Sequence, residues 1–337
     1  MNAEKVYALN EKNEGYSNYS GLARIIYDTI NPITISGRFV MSLIHVTGNT
    51  YCIDLGYSYV GLYRIGKNDA VLLDTGRPGE EGDILLNAIR ENNIIIKAII
   101  STHAHIDHVG NNSLLKNHFN STIAMHFNEA GLCFSDLSIK NANPILDLHH
   151  AKRFYSNMVC KTDRLILDSD DKITFEGADF SIFHAPGHSP GHICVITPDG
   201  VAYLGDALLG KSSLRAAKLP YAFSHSADIK SKEQLRGLKA DGYILSHKDI
   251  LGDISPLIDS GIKKVNDTTT RVFRLIEGEM EFGAILKKAI SEFNIRIDSY
   301  EKYARVERLF RPFLEYLVET NQVVLYSKDG CLYYSTI

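Results

Sequence analysis

The sequence lacks three features that would each assign it to a particular class of protein: a long apolar run, paired cysteines and a strong excess of one charge. Its longest apolar stretch, "NNIIIKAIIST", is too short and too interrupted to cross a bilayer. The formal net charge of −4 gives no electrostatic reason to expect nucleic acid or an acidic membrane surface as a partner. The five cysteines are an odd number without any C-x-x-C pair, which argues against a disulfide framework and favours a reducing compartment.

The N-terminal stretch "MNAEKVYALNEKNEGYSNYS" is polar and contains no apolar segment of the kind found in secretory signals. Hydrophobic residues make up 45 % of the chain and charged residues 23 %, which is typical of globular proteins that bury a core. We therefore expect a cytoplasmic protein of enzyme size that has no membrane partner.

The pattern along the chain predicts three segments. Residues 1–35 form an N-terminal extension in which "GLARIIYDTI" has the spacing of a short amphipathic helix. Residues 36–262 alternate short apolar strands with helices, which predicts a layered α/β domain. Residues 263–337 predict a small winged-helix-like appendage. The stretches "TTTRVFRLIEGEMEFGAILKKAISEF" and "ARVERLFRPFLEYLVETNQ" have the pattern of amphipathic helices, with charged segments "EFGAILKK" and "ARVERLFR", and the hairpin-like "VVLYSKDGCLYYSTI" follows them.

Acidic and basic residues nearly balance in this C-terminal appendage, so no DNA-binding role is expected from its charge. A substrate lid and a surface for forming a homodimer are the two roles that the sequence leaves open. The expected partner is a small-molecule substrate.

The stretch "STHAHIDHVG" places four side chains that commonly bind metals within six positions: His103, His105, Asp107 and His108. It directly follows the predicted strand "IIIKAIIST". Other side chains of the same kind follow further predicted strands, and strand ends that meet at one edge of a sheet favour a ligand site there. These additional candidates are Asp74, His188, Asp206 and His247.

The spacing of these side chains favours two metal ions over one. His103 and His105 are separated by one residue, so both can reach the same ion from an extended loop. Asp107 and His108 are adjacent and point in different directions, which favours a second ion beside the first. Imidazole and carboxylate ligands suit two divalent ions, with zinc preferred and iron or manganese as alternatives. A carboxylate between two ions about 3.5–4 Å apart would complete such a site.

Five motifs, "LLDTG", "THAHIDH", "APGHSPGH", "YLGDAL" and "ILSHKD", resemble those of the metallo-β-lactamase superfamily in their order and separation, over roughly residues 36–255. Within that family "THAHIDHVG" and "GDAL" are similar to glyoxalase II enzymes, whereas the continuation "LLGKSSLRAAKLPYAF" differs from them. The resemblance implies a four-layer αββα sandwich with metals at one edge of its sheets. It also implies roles for eight residues: His103, His105 and His188 as ligands of the first metal, Asp107, His108 and His247 as ligands of the second, Asp206 as the bridging carboxylate, and Asp74 as a hydrogen-bonding support.

The resemblance implies a dinuclear hydrolase in which metal-bound hydroxide attacks an ester, thioester or lactone bond and Asp107 orients that hydroxide or accepts its proton. Two alternatives remain open: a persulfide dioxygenase-like enzyme with a single iron, and a non-catalytic protein that senses a metal or a ligand. His184 and His192, which flank the "PGHSPGH" turn, are interpreted as structural residues.

Overall fold

The fold of the chain was analysed in a computed structural model, which describes residues 43–337. The predicted N-terminal extension and its helix in "GLARIIYDTI" lie outside the described residues. Within residues 43–337, no helix combines the length and the apolar character needed to cross a membrane.

The first sheet has seven strands that lie side by side in the order of the chain. Its first four strands are antiparallel neighbours, and the last four form parallel pairs. The strands are β1 (Leu43–Thr47), β2 (Thr50–Asp54), β3 (Tyr59–Arg64), β4 (Asp69–Leu73), β5 (Ile95–Ser101), β6 (Thr122–His126) and β7 (Arg164–Ile166).

The second sheet has six strands in the order β13-β12-β11-β10-β9-β8. All neighbours are antiparallel except β11 and β12, which are parallel. The strands are β8 (Lys172–Phe175), β9 (Ala178–His184), β10 (Ile193–Ile196), β11 (Val201–Tyr203), β12 (Gly242–Leu245) and β13 (Asp249–Leu251). The alternation of polar and apolar residues in β8 matches its alternating exposure, as expected for a half-buried antiparallel strand.

Helices cover the outer faces of both sheets. Six helices follow strands of the first sheet: α1 (Glu80–Glu91), α2 (Ile106–Val109), α3 (Asn112–Phe119), α4 (Phe127–Leu132), α5 (Asp136–Ala142) and α6 (Leu148–Tyr155). Three more are associated with the second sheet: α7 (Lys211–Ala216), α8 (His225–Leu235) and α9 (Ser255–Phe273).

The buried apolar residues show how these layers pack. One core lies between the sheets and includes Leu73 and Ile100 of the first sheet with Phe180 and Tyr203 of the second. A second core joins the outer face of the first sheet to α1, whose Leu85, Ala88 and Ile89 have helical spacing. A third core joins the second sheet to α8 and α9. The predicted αββα sandwich is therefore confirmed.

One helix is displaced from its predicted position. The pattern "SKEQLRGLKAD" predicts a helix over residues 231–241, whereas α8 spans His225–Leu235. The helix begins earlier because the Ser224 hydroxyl accepts a hydrogen bond from the Ala227 main-chain N–H at 3.3 Å, which caps the first turn.

The C-terminal part of the chain contains the predicted hairpin and the helix predicted in "ARVERLFRPFLEYLVETNQ". The stretch "TTTRVFRLIEGEMEFGAILKKAISEF" is divided between two helices rather than forming one, because Gly278, with a φ of 63°, interrupts it. The C-terminal part consists of β14 (Met280–Glu281), α10 (Phe282–Glu292), α11 (Tyr300–Glu319), β15 (Val323–Lys328) and β16 (Cys331–Thr336). The hairpin turn is made by Asp329 and Gly330, which both have positive φ, as a tight two-residue turn requires. A fourth core around Phe310 and Phe313 holds this part together.

The predicted division between residues 262 and 263 falls inside the 19-residue helix α9. Leu257 and Ile258 at the start of this helix belong to the core of the second sheet. Val265 and Val272 further along belong to the C-terminal core. The two parts of the chain are thus joined by a continuous helix that packs on both.

Replacing Phe180, which is fully buried between the sheets, tests this arrangement. We expect Phe180→Ala to lower the free energy of unfolding by about 3–5 kcal/mol, because it removes buried apolar surface and leaves a cavity. The matched control is Phe134→Ala, since Phe134 is 79 % exposed and its loss should change the free energy by less than about 0.5 kcal/mol. Urea unfolding followed by circular dichroism measures the free energy of unfolding of both variants. Equal losses in Phe180→Ala and Phe134→Ala would contradict the burial of Phe180 between the sheets.

Candidate metal centre

The predicted ligands come together because the strands that precede them end at one edge of the sandwich. Strands β4 and β5 are parallel in the first sheet, and Asp74 directly follows β4. His103 and His105 lie in the loop after β5, and Asp107 and His108 lie in the short helix α2 that comes next. In the second sheet β9, β11 and β12 run in one direction, and each is followed by a predicted ligand. All eight side chains named from the sequence meet at this edge, although Asp206 lies three residues beyond β11 rather than at its end.

Three imidazole nitrogens face one point in the first group of ligands. His103 Nε2 lies 2.9 Å from His105 Nδ1, which lies 3.1 Å from His188 Nε2. Nitrogens around one tetrahedral ion would be about 3.3 Å apart, given metal–nitrogen bonds of 2.0–2.1 Å. These separations therefore fit three ligands of a single ion. An oxygen of Asp206 lies within 4.8 Å of all three nitrogens.

Asp107, His108 and His247 form a second group, whose ligand atoms also lie within 4.8 Å of one another. His247 Nε2 is 3.9 Å from Asp107 Oδ2. Among residues 43–337, His108 Nε2 is a buried nitrogen without a hydrogen-bond partner. A buried nitrogen of this kind is costly unless it binds something, so its position fits a metal ligand.

Asp206 lies between the two groups and directs one oxygen to each. Its Oδ2 is 3.4 Å from His188 Nε2 in the first group. Its Oδ1 is 3.3 Å from His247 Nε2 and 3.4 Å from His108 Nε2 in the second. The Ser246 hydroxyl donates a hydrogen bond of 2.6 Å to Oδ1 and fixes the carboxylate in this orientation. The arrangement is the one that a carboxylate between two ions requires.

Asp74 supports both groups by hydrogen bonds. Its carboxylate accepts bonds from the Thr102 main-chain N–H at 2.7 Å, the Thr102 hydroxyl at 2.8 Å and His108 Nδ1 at 2.8 Å. The Thr102 oxygen is in turn 3.0 Å from His103 Nδ1. We assign the ring protons of His103 and His108 to Nδ1 on this network, which leaves Nε2 of both rings free to bind a metal.

His192, His184 and His150 make contacts other than those of the predicted metal ligands. His192 is fully buried, and its Nε2 accepts a hydrogen bond of 3.0 Å from the Asp206 main-chain N–H. His184 Nε2 donates to the Asp170 carbonyl at 2.8 Å. His150 contacts Asp147 and Glu301 rather than the predicted ligands. The sequence-based interpretation of His184 and His192 agrees with these contacts.

Two supporting residues have no signal in the sequence. Glu129 is fully buried, and its carboxylate accepts bonds of 2.7 Å from the main-chain N–H groups of Ala104 and Gly191 and from the Ser189 hydroxyl. It thereby ties the loop of His103 and His105 to the loop of His188. Arg308 of α11 also reaches the site, with Nη2 3.0 Å from His105 Nε2.

The environment shifts the pKa values of the histidines in the two groups in opposite directions. Burial, together with repulsion from neighbouring imidazoles, lowers the pKa of His103 and His105, and burial lowers that of His188 to about 4. Burial also acts to lower the pKa of His108 and His247, but the neighbouring carboxylates together outweigh it and raise both. Asp206 acts on both residues, with Asp74 adding to the effect on His108 and Asp107 to that on His247. The first group is therefore neutral and ready to bind a metal over a wider pH range than the second.

Comparison with known proteins places the chain in a family. The model of the metallo-β-lactamase superfamily matches residues 53–247, more than half of the 337 residues. The chain belongs to the metallo-β-lactamase superfamily, as its motifs predict.

Curated relatives of this family match only part of the chain. Hydroxyacylglutathione hydrolase GloC of Haemophilus influenzae is 31 % identical over 145 residues, which are 42 % of this chain and 62 % of the relative. Hydroxyacylglutathione hydrolase of Pelagibacter ubique is 27 % identical over 42 % of this chain and 46 % of the relative. The chain thus spans about half to three-fifths of the length of these relatives.

Solved structures match a larger share of the chain. A metallo-β-lactamase family protein from Thermus thermophilus superimposes with a TM-score of 0.65 at 18 % identity, over 86 % of this chain and 99 % of that protein. A β-lactamase domain protein from Burkholderia ambifaria has a TM-score of 0.64 at 18 % identity, over 87 % and 93 %. At this identity the likeness shows the fold alone.

Replacing the supporting carboxylate tests how the ligands are held. We expect Asp74→Asn to weaken metal binding by about 10- to 100-fold, because it removes the acceptor that orients His108 and Thr102. Asn tolerates the positive φ of 65° at this position, so the variant tests the carboxylate rather than the backbone. Competition with a chelator measures the affinity, and Asp83→Asn on the exposed face of α1 is the matched control.

The opposite pKa shifts predict an ordered loss of metal as the pH falls. Protons bind His108 and His247 at a higher pH than they bind the first group, so they displace the second ion first. As the pH is lowered stepwise, the protein should therefore pass through a state with close to one ion per chain before it loses both. Elemental analysis after gel filtration measures the number of metal ions per chain at each pH. Simultaneous loss of both ions would contradict the predicted difference in pKa between the histidines of the two groups.

Proposed function

We propose that the chain is a metal-dependent hydrolase with a dinuclear centre that cleaves an ester, thioester or lactone bond of a small molecule. The observation that supports this most directly is the position of the Asp206 carboxylate, with one oxygen facing each group of ligands. Membership of the metallo-β-lactamase superfamily supports the same reaction class. Relatives named hydroxyacylglutathione hydrolase make a thioester one candidate substrate.

Seven side chains would hold the two ions: His103, His105 and His188 the first, Asp107, His108 and His247 the second, and Asp206 both. When bound, two divalent ions lower the pKa of a shared water, so that hydroxide forms near neutral pH, and polarise the carbonyl under attack. Zinc suits this set of ligands, and iron and manganese are accepted by the same donors.

Asp107 is the residue that we expect to orient the water and to accept its proton. Burial acts to raise the pKa of this carboxyl, but His108 and Arg77 outweigh burial and lower it. Arg77 Nη2 lies 3.6 Å from Asp107 Oδ2. Asp107 is therefore ionised at neutral pH, which is the state that a proton acceptor needs.

The surroundings of the centre favour hydrolysis without a protein nucleophile. All five cysteines are free thiols, and Cys194, which is close to the motifs in sequence, is fully buried in the core of the second sheet. We infer a reducing, cytoplasmic setting from these unpaired thiols. A homodimer formed through the charged C-terminal helices stays a prediction.

The proposal predicts two ions per chain and a large loss of activity when Asp107 is replaced. We expect Asp107→Asn to lower kcat on a responsive ester or thioester by at least about 100-fold, because it removes the proton acceptor and one metal ligand. His103→Ala should remove the ion of the first group. Metal content by elemental analysis and steady-state kinetics on an ester, thioester and lactone panel measure these effects.

The control for these variants is His118→Ala, since His118 is exposed on α3 and lies outside both groups. It should keep the metal content and the activity of the parent protein. A parent protein with one iron per chain and oxygen uptake on persulfides would favour the dioxygenase alternative instead. Full activity and metal content in both His103→Ala and Asp107→Asn would refute the assignment of the centre.

A further inference from the structure

The guanidinium of Arg308 lies at the metal centre although it comes from the C-terminal part of the chain. It is partly buried, and its Nη2 is 3.0 Å from His105 Nε2. Its Nε and Nη2 donate to the Tyr221 hydroxyl at 3.2 and 2.9 Å, and Nη1 donates to Asn143 Oδ1 at 3.1 Å. The guanidinium also lies over the Tyr221 ring, 4.8 Å from its centre. Helix α11 therefore forms a wall of the site.

This guanidinium has no counter-ion in the described part of the chain. Within residues 43–337, none of the ion pairs includes Arg308, whereas Arg77 on the other side of the centre pairs with Asp107 and Arg311 pairs with Glu307. Holding a positive charge among neutral partners away from bulk water is unfavourable unless an anion compensates it. A guanidinium left in this state beside a reaction centre is a ready binding group for a negatively charged ligand.

The contact between Arg308 and His105 leads to the same conclusion. His105 directs Nδ1 toward the nitrogens of His103 and His188, so a metal bound at Nδ1 leaves the ring proton on Nε2. Nε2 then donates, and it faces a guanidinium that can only donate. Two donors 3.0 Å apart repel each other, and an acceptor oxygen placed between them would bond to both.

We propose that Arg308, with the Tyr221 hydroxyl and His105 Nε2, binds a carboxylate of the substrate, so that the enzyme selects acyl compounds that carry a negative charge close to the bond it cleaves. This inference rests on the proposed function, because the anion that Arg308 binds is the compound that the enzyme hydrolyses. The carboxylate position is separated from the predicted ion by the width of the His105 ring. The single charge of one guanidinium matches that of a carboxylate better than that of a phosphate.

The guanidinium is held ready for this role by contacts that fix α11 against the sandwich. Tyr300 at the start of α11 bonds to the Ile145 carbonyl, and its ring lies 5.3 Å from that of His150. Glu301 is 3.3 Å from His150 Nε2. These contacts connect α11 to α6, through His150, and to the segment between α5 and α6, through Ile145; that segment also carries Asn143. A binding group fixed in this way loses little freedom when the ligand arrives.

A pair of substrates with equal acyl lengths tests the proposal on the metal-loaded protein. Mono-4-nitrophenyl succinate carries a free carboxylate, and 4-nitrophenyl butyrate carries a methyl group in its place. We expect a lower KM for the succinate ester in the parent protein. Arg308→Gln should raise that KM by about 10- to 100-fold and change the KM of the butyrate ester by less than about twofold. Arg308→Lys should retain part of the preference, because it keeps the charge but loses the fork of donors.

A binding measurement that needs no turnover separates this inference from the proposed function. Isothermal titration calorimetry of the metal-loaded protein should show succinate binding more tightly than butyrate, with the difference lost in Arg308→Gln. If neither ester is hydrolysed but this difference is present and depends on Arg308, the carboxylate site stands and the proposed hydrolase activity fails. If both esters are hydrolysed and Arg308→Gln leaves both KM values and both affinities unchanged, the carboxylate site is refuted.

The matched control is Arg311→Gln, which removes the same charge from the same helix at a residue that pairs with Glu307. It should leave the preference for succinate intact. An equal loss of preference in Arg311→Gln would show that the total charge of α11, and not the position of Arg308, attracts the anion, and would overturn the proposal. Thermal unfolding of each variant establishes that it is folded.

Discussion

The carboxylate of Asp74 is the fixed point on which the geometry of the centre depends. It lies directly after β4 in a left-handed backbone conformation, with φ of 65°, which is uncommon for a residue other than glycine. Three hydrogen bonds to Thr102 and His108 hold it there. Because the Thr102 oxygen also contacts His103, one buried carboxylate sets the ring orientation of a histidine in each group. Strained backbone of this kind is retained where the surrounding bonds outweigh its cost.

The backbone of Gly205 shows how closely the two sheets approach at this point. Its φ is 53°, and a Cβ at this position would lie 2.7 Å from the Thr102 hydroxyl and 2.8 Å from His192 Nε2. Only a residue without a side chain lets the loop of Asp206 pass this near to the loop of His103. Gly205 therefore sets how closely the Asp206 carboxylate approaches the histidines of the two groups.

That these side chains come together could be predicted from the sequence, because each belongs to a short motif that follows a strand. The prediction requires only that strands running in one direction end at the same edge of a sheet, and this holds for both sheets. Glu129 and Arg308 could not be found in this way. Glu129 has no neighbouring motif, and Arg308 is separated from His105 by 203 positions along the chain, so its contact depends on the packing of a helix far away in sequence. The extent of α8 depended on a single capping serine.

The chemistry of the centre is thus divided between two parts of the fold. The sandwich supplies the side chains that face the predicted ions, and all of them lie within the residues that the superfamily model matches. The C-terminal part supplies Arg308, which contacts His105 and lies beyond the residues that the superfamily model matches. Because the similarity to the superfamily lies in the sandwich, it predicts the class of reaction more readily than the identity of the substrate.

The continuity of α9 has a consequence for how a substrate enters. The helix runs unbroken from Ser255 to Phe273, and its two ends belong to different cores. A hinge between the sandwich and the C-terminal part would have to break main-chain hydrogen bonds in the middle of this helix and separate apolar surfaces on both sides of it. The C-terminal part is therefore held as a fixed wall beside the metal centre, and a substrate would enter without a hinge motion at α9.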